Sequence, residues 1–113
     1  MIGKSSQIDT LSAMLQQAEV RHRVVSQNIA NVNTPGYRNL DVSFQESLDK
    51  LASDPALQAI VEETQGLVMR EDGNNVDLDR ELGKLTKNSL QFETYSHLLL
   101  AKFSLLRSAI TGQ

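Results

Sequence analysis

The feature that most constrains this chain is an apolar repeat, in alternating steps of three and four residues, at each end of the sequence. The first repeat runs through Ile8, Leu11, Leu15, Ala18, His22, Val25, Ile29 and Val32. The second runs through Leu78, Leu82, Leu85, Ser89, Phe92, Ser96, Leu99, Phe103, Leu106 and Ile110. This spacing is typical of a helix that packs one seam against another helix. It predicts two long helices, over residues 6–32 and 77–111.

The two seams also predict how the helices pair. The insert between them, residues 33–76, is short, so we expect the chain to reverse into an antiparallel, coiled-coil-like hairpin within one unit, 1–113. The step patterns match when Ile8 faces Ile110, which pairs Leu15 with Phe103, Ala18 with Leu99, His22 with Ser96, Val25 with Phe92 and Val32 with Leu85. A His that faces a Ser can exchange a hydrogen bond, and this favours the register. The predicted fold is therefore mainly α.

The insert has a weaker pattern. A short amphipathic helix, interrupted by Asp54-Pro55, is predicted from the spacing of Phe44, Leu48 and Leu51. A small β-hairpin around Gln65-Gly66 is predicted from the apolar residues on either side, Ile60-Val61 and Leu67-Val68-Met69. Asp72-Gly73-Asn74-Asn75 predicts a turn directly before the second helix.

A polar turn ends the first helix. Thr34 precedes a proline and is disfavoured in the α region, Pro35 fixes φ, and Gly36 accepts positive φ, so these residues predict a type II turn. The neighbouring asparagines have two interpretations. They are local caps that bond nearby backbone groups, or Asn28 and Asn88, which the predicted register brings together, pair across the helices and fix their alignment.

Composition argues against several classes of function. The 113-residue chain has 11 Lys and Arg against 14 Asp and Glu, a net charge of −3, and no cysteine. It has no basic stripe for nucleic acid, no thiolate ligand or nucleophile, and no apolar run long enough for a secretory signal or a membrane span. We therefore expect no nucleic-acid partner and no cleavable signal peptide.

The candidate metal and catalytic motifs are also incomplete. Asp72, Asn74, Asp77 and Asp79 resemble a calcium loop, but Gly73 and Gly83 stand where the EF-hand pattern needs other residues. Glu93 and His97 supply two ligands where zinc needs three or four. No Gly-x-Ser-x-Gly turn or phosphate loop occurs. We predict a protein that is not an enzyme, with no catalytic residues, metal, cofactor or small-molecule substrate.

The second helix carries more apolar surface than one seam accounts for. Its off-seam residues include Leu90, Leu98, Leu100, Leu105 and Ala109. Either other subunits cover them, which we favour, or the insert folds back over them.

Two motifs carry a family resemblance. Asn28-Ile29-Ala30-Asn31 and Thr34-Pro35-Gly36-Tyr37 resemble the signature that ends the first helix in bacterial flagellar axial proteins, the rod, hook and hook-associated subunits. Asp72 to Glu81, which includes Gly73, Asn74, Val76 and Asp77, with Asn88-Ser89-Leu90 and the stretch from Lys102 to Ile110, is similar to the proximal-rod subunits of FlgB type within that family. The resemblance covers both helical ends, about half of the chain.

The resemblance implies a structural subunit of the flagellar basal-body rod, exported by the flagellar type III apparatus and polymerised in the periplasm. The implied partners are copies of itself, other rod subunits, the basal-body adaptor and membrane ring, and the export gate. Two alternatives remain open from the residues. They are another rod subunit of the same family, and a cytoplasmic helical adaptor or chaperone that uses the same hairpin.

Overall fold

The computed structural model describes residues 4–44 and 59–112. Two helices, α1 (Lys4–Ala30) and α2 (Leu78–Thr111), flank two short strands, β1 (Leu40–Phe44) and β2 (Ala59–Glu63). The molecule is elongated, with extents of 64 × 26 × 17 Å. The mainly α architecture, with two long terminal helices and a small insert, is the one that the sequence predicts. Within the described residues, neither helix has an apolar stretch of the length that crossing a bilayer requires.

The helix ends are set by polar residues. The N–H of Asn31 is shared between the carbonyls of Gln27 (3.1 Å) and Asn28 (3.2 Å), and Val32 donates to Ile29 (3.2 Å). The last turn of α1 therefore narrows to 3₁₀-type hydrogen bonds between residues three apart. The α-helix ends at Ala30 and not at the predicted residue 32. The helix also begins at Lys4, two residues before the predicted start.

The boundaries of α2 follow the prediction closely. Asp77 is the N-cap, and its carboxylate accepts a bond from the Arg80 N–H at 3.2 Å. Gly112 closes the helix in the left-handed conformation (φ 74°), where its N–H donates to the Ser108 carbonyl at 2.8 Å. Both ends thus use the local chemistry that favours helix termination at these residue types.

The β-hairpin differs from the predicted one. β2 pairs antiparallel with β1, with Leu40 opposite Glu63 and Phe44 opposite Ala59. The predicted partner, Leu67-Val68-Met69, forms no strand, and Val68 is 87% exposed. β1 is favoured as the partner because α1 already holds it: Asn28 bonds both the N–H and the carbonyl of Leu40.

The predicted helix in the insert is wrong at its first residue. Phe44 is the last residue of β1, and the guanidinium of Arg21 lies 4.9 Å from the centre of its ring. This contact holds the end of the strand against α1. The rest of that predicted helix, Leu48, Leu51 and Asp54-Pro55, falls outside the described residues.

The helices are antiparallel, but the predicted register is wrong. The Asn88 amide donates to the carbonyl of Ala18 at 2.7 Å, although the seams place Leu99 there, more than one heptad away. Asn28 contacts Glu81 at 3.2 Å rather than Asn88, one heptad away. The polar residues that join the two helix ends hold them level, whereas the seam register would carry the first turns of α2 past the end of α1.

The seams themselves are only partly buried within the chain. On α2 the two buried residues, Glu81 and Asn88, lie beside the seam and not on it. The half-buried residues include both off-seam positions (Lys84, Gln91, Tyr95) and seam positions (Leu85, Ser96, Leu99, Leu106). The exposed seam residues are Leu78, Leu82, Ser89, Phe92, Phe103 and Ile110. Among the described residues, the buried apolar side chains are small: Ala13, Ala18, Val20, Val24, Val25 and Val76. The sequence register pairs His22 with Ser96 at the interface of the two helices. In the structure His22 is exposed and Ser96 is half-buried, so they are not a buried pair between the helices.

Two glycines on α2 give opposite expectations for the same substitution. Gly83 lies inside the helix with open space where a Cβ would be, so Gly83→Ala should stabilise the helix by about 0.5–1 kcal/mol. Gly112 needs positive φ, so Gly112→Ala should destabilise the helix end. Thermal unfolding of the purified chain, followed by circular dichroism, measures both. A loss of stability in Gly83→Ala would contradict the helix assignment.

Candidate functional site

Buried polar residues meet where α1 ends and α2 begins. We call the set Asn28, Asn39, Asn74, Asn75 and Glu81 the asparagine joint. Four of them are fully buried and Asn75 is 5% exposed. They come from the last turn of α1, the entry to β1, the turn before α2, and the first turn of α2. The joint therefore connects the end of α1, the start of β1 and the start of α2.

Asn28 links α1 to β1. Its Oδ1 accepts a bond from the Leu40 N–H at 3.0 Å, and its Nδ2 donates to the Leu40 carbonyl at 2.7 Å. The amide thus pairs with Leu40 as a neighbouring strand would. The Tyr37 hydroxyl also donates to Asn28 Oδ1 at 3.1 Å. Burial raises the pKa of that hydroxyl, a hydrogen bond with Gln27 opposes the rise, and the negative charge of Glu81 adds to it.

Glu81 lies at the centre of the joint. Its Oε1 accepts a bond from Asn39 Nδ2 at 2.8 Å, and its Oε2 accepts one from Asn28 Nδ2 at 3.2 Å. Lys84 Nζ lies 3.5 Å from Oε1. A buried carboxylate is costly unless it is paired and hydrogen-bonded, and here amide donors and a cation satisfy both oxygens. One side chain at the start of α2 is thereby bonded to α1 and to the residue that precedes β1.

Asn74 closes the end of α1. Its Nδ2 donates to the carbonyls of Asn31 (2.8 Å), Thr34 (2.8 Å) and Val32 (3.2 Å). Its Oδ1 accepts a bond from the Val76 N–H at 2.7 Å. These carbonyls belong to the turn that follows Ala30, so a side chain that collects them holds this turn in place at the end of α1.

Arg70 and Asn75 add further links to the joint. The Arg70 guanidinium donates to the Val32 carbonyl, and also to the Val76 carbonyl at 3.1 Å. The Asn75 side chain accepts a bond from the Asn39 N–H at 2.5 Å. The loop before α2 is therefore bonded both to the end of α1 and to the entry of β1.

Two glycine turns approach each other beside the joint. Gly36 has φ 76°, which confirms the predicted positive φ. The Tyr37 N–H closes the turn by donating to the Thr34 carbonyl at 3.2 Å, and the Gly36 N–H donates to the Asp72 carbonyl at 2.8 Å. Gly73 has φ 82°, and a Cβ there would lie 3.3 Å from the Cα of Gly36. This approach explains the glycine at position 73.

The structure separates some of the residues that the sequence groups together. Asn28 and Asn88 do not pair, because Asn28 lies in the joint and Asn88 bonds Ala18 three helical turns along α1. Ile29 and Ala30 belong to the last turn of α1. Val76 is buried and Asp77 caps α2.

Sequence reasoning missed Asn39, Asn75 and Glu81 as members of the joint. In the sequence, Glu81 is an acidic residue in the first turn of a helix, where its charge suits the helix dipole. Nothing in the local pattern indicates that it is buried. The sequence signal that was available is the density of asparagines on both sides of the insert.

The metal candidates do not form a cluster. Glu93 Oε1 lies 3.8 Å from His97 Nε2, and both side chains are largely exposed. Across residues 4–44 and 59–112, no three His, Asp or Glu side chains are grouped as a cation would require.

The two helix ends are thus held level, and large apolar side chains on several sides of α2 remain exposed. A family model described as Flagella basal body rod protein matches residues 8–38, which span most of α1 and the glycine turn. The chain is 30% identical, in an alignment 125 residues long, to the Flagellar basal body rod protein FlgB of Bacillus subtilis (strain 168). The alignment covers 96% of the chain and 95% of that relative.

Two further relatives carry the same name. The FlgB of Cereibacter sphaeroides is 27% identical over 128 residues and covers both chains completely. The FlgB of Escherichia coli (strain K12) is 35% identical over 96 residues, covering 65% of the chain and 70% of the relative. The chain belongs to the family of FlgB flagellar basal body rod proteins.

The glycine turn gives a first prediction for this site. Gly36→Val should lower the stability of the joint by roughly 1–3 kcal/mol, because a β-branched residue is strained at positive φ. Circular dichroism during urea unfolding checks the loss, and Gly83→Ala serves as a control for a glycine that tolerates a side chain. Coordinates of the variant with the turn intact and stability unchanged would contradict the assignment.

The buried carboxylate gives a second prediction. Glu81→Gln keeps the size of the side chain but turns one acceptor oxygen into a donor that faces an asparagine amide, so it should cost about 2–3 kcal/mol. Glu93→Gln, which changes an exposed carboxylate on the same helix, should change stability by less than about 0.5 kcal/mol. Equal effects in the two variants would show that the joint does not depend on Glu81.

Proposed function

We propose that this chain is a proximal-rod subunit, exported through the flagellar type III apparatus and polymerised in the periplasm as part of the drive shaft. The observation that carries the proposal is the exposed apolar surface of α2. Leu90, Leu100, Leu105 and Ile110 are 58–84% exposed. Monomeric proteins seldom leave such a surface uncovered, and other subunits of a rod are a suitable cover.

The interior of the hairpin suits a chain that crosses a membrane unfolded. Its buried apolar residues are alanines and valines, which contribute less burial free energy than large side chains do. Much of the remaining order depends on the asparagine joint. Its hydrogen bonds replace hydrogen bonds to water, so each adds only a small net free energy of folding. A subunit of this kind unfolds readily before export and gains order from its neighbours afterwards.

The proposed partners follow from a place in the proximal rod. They are copies of this chain and other rod subunits along the shaft, the adaptor and membrane ring at its base, and the export gate during secretion. The exposed seam residues of α2 provide a contact surface for a neighbouring helix, while β1 lies beside both helices, with Asp41 4.0 Å from Lys84 of α2.

Electron microscopy of basal bodies from cells that lack this chain tests the proposal. We expect the membrane ring to remain and the rod to be absent, and the chain supplied from a plasmid should restore it. If intact rods persist, the proximal-rod assignment is wrong. If the rod is broken farther from the ring, another rod subunit is the better assignment, and a chain confined to the cytoplasmic fraction would favour an adaptor or chaperone.

The isolated chain should be less ordered than the assembled one. Circular dichroism of dilute, monomeric protein should show less helix than the 27 and 34 residues of α1 and α2 together would give, because the apolar face of α2 lacks its cover. A monomer with the full helicity of α1 and α2 would contradict this expectation.

A further inference from the structure

The apolar seams of α1 and α2 border one groove instead of facing each other. The groove has a volume of about 450 Å³ and is lined by Ala18, Glu19, His22, Asn88, Ser89 and Phe92. Four of these residues, Ala18, His22, Ser89 and Phe92, are the seam positions of their helices. We call this surface the seam groove. Two seams that converge on a groove indicate a third helix, since seam side chains pack between those of a facing helix.

The seam groove lacks contacts that its residues are suited to make. His22 and Ser89 are exposed, and Phe92 is 45% exposed. Asn88 forms the floor, where its Nδ2 bonds Ala18. Its buried Oδ1 has no hydrogen-bond donor among the described residues.

The C-terminal part of α2 is a segment that needs such a groove. Asn28 meets Glu81 and Ala18 meets Asn88, so continuing this register brings Lys4 level with about residue 104. About two turns of α2 extend past the start of α1. The seam continues there through Phe103 and Ile110, which are 48% and 84% exposed.

Charge favours the same pairing. From Thr94 to the end of the sequence the chain has no acidic residue, while it has Lys102 and Arg107. Glu19 is the acidic residue among those that line the seam groove, and it is exposed. A basic helix end is thus able to pair with Glu19, and this pairing favours one orientation of a docked helix.

We propose that the seam groove binds residues 99–110 of α2 from a second copy of this chain. The two surfaces differ, so the contact is head-to-tail and repeats without closing, as a filament requires. Residues 99–110 and Asn88 are centred about 16 residues apart on α2, so successive copies are displaced along the helix by roughly 25 Å. The inference rests on the proposed rod function and names one contact between its copies.

Cysteine cross-linking tests the contact without interference, because the chain has no native cysteine. Glu19→Cys and Arg107→Cys are combined in one gene and supplied to cells that lack the chain. Within one chain these two positions lie roughly 25 Å apart along the hairpin, far beyond the Cα separation that a disulfide spans. We expect isolated basal bodies to yield a ladder of cross-linked oligomers on a non-reducing gel.

Matched variants separate the proposed contact from chance. Glu62→Cys with Arg107→Cys places the first cysteine on β2 and should give no ladder. Charge reversal supplies a test without cross-linking: Glu19→Arg and Arg107→Glu should each reduce swimming, and the double variant should restore it. Failure of the double variant to improve on either single variant would count against the pairing.

The outcomes distinguish the two levels of the proposal. Rods that form with no Glu19–Arg107 cross-link overturn the groove contact and leave the rod function intact. A discrete dimer in place of a ladder overturns the head-to-tail geometry. If even the unmodified chain is absent from basal bodies, the rod function fails and the groove contact fails with it.

Discussion

The bonds that Glu81 accepts determine how the rest of the molecule is arranged. Its two carboxylate oxygens receive the amides of Asn39 and Asn28 at 2.8 and 3.2 Å. The first bond connects α2 to the residue that precedes β1, and the second connects it to the last turn of α1. A carboxylate removed from water is stable only with such donors, so the three segments must arrive together. This requirement fixes which residue of α2 lies level with the end of α1, and all other distances along the hairpin follow from it.

Polar bonds override the apolar pattern in this pair of helices. Apolar packing is non-directional and tolerates several registers, whereas an amide and a carboxylate bond only at short distance and in a narrow range of angles. The seams match best with Leu99 opposite Ala18, yet Asn88 takes that place and bonds the Ala18 carbonyl at 2.7 Å. A buried polar residue that sets register at some cost in stability is well known in coiled coils. The cost here is visible in the large seam residues that stay exposed.

Local chemistry made part of this fold predictable, and long-range bonds made the rest unpredictable. The helices, the Asp77 cap, the Gly112 end and the positive φ of Gly36 depend on residues within one turn of each other, so a single sequence indicates them. The pairing of β2 with β1 depends on Asn28 holding Leu40 from 12 positions away, and the asparagine joint depends on Glu81 meeting residues 42 and 53 positions earlier. The sequence lists these residues without indicating that they meet. Asn88 is an example. The sequence pattern places it beside the seam, but its partner is the backbone carbonyl of Ala18, which no side-chain pattern can indicate.

The displaced register has a consequence for assembly. If the seams had packed on each other within one chain, α2 would have ended nearly level with α1 and buried most of its large side chains, which leaves little surface for a neighbour. Because the joint holds the helices in a different register, α2 extends about two turns past α1 and its seam remains partly uncovered. The same bonds that order one end of the hairpin therefore create both the uncovered groove and the protruding helix end. Under the proposed contact between copies, the exposed seam residues would be buried by a neighbouring chain, so a joint that keeps them exposed in the single chain favours assembly.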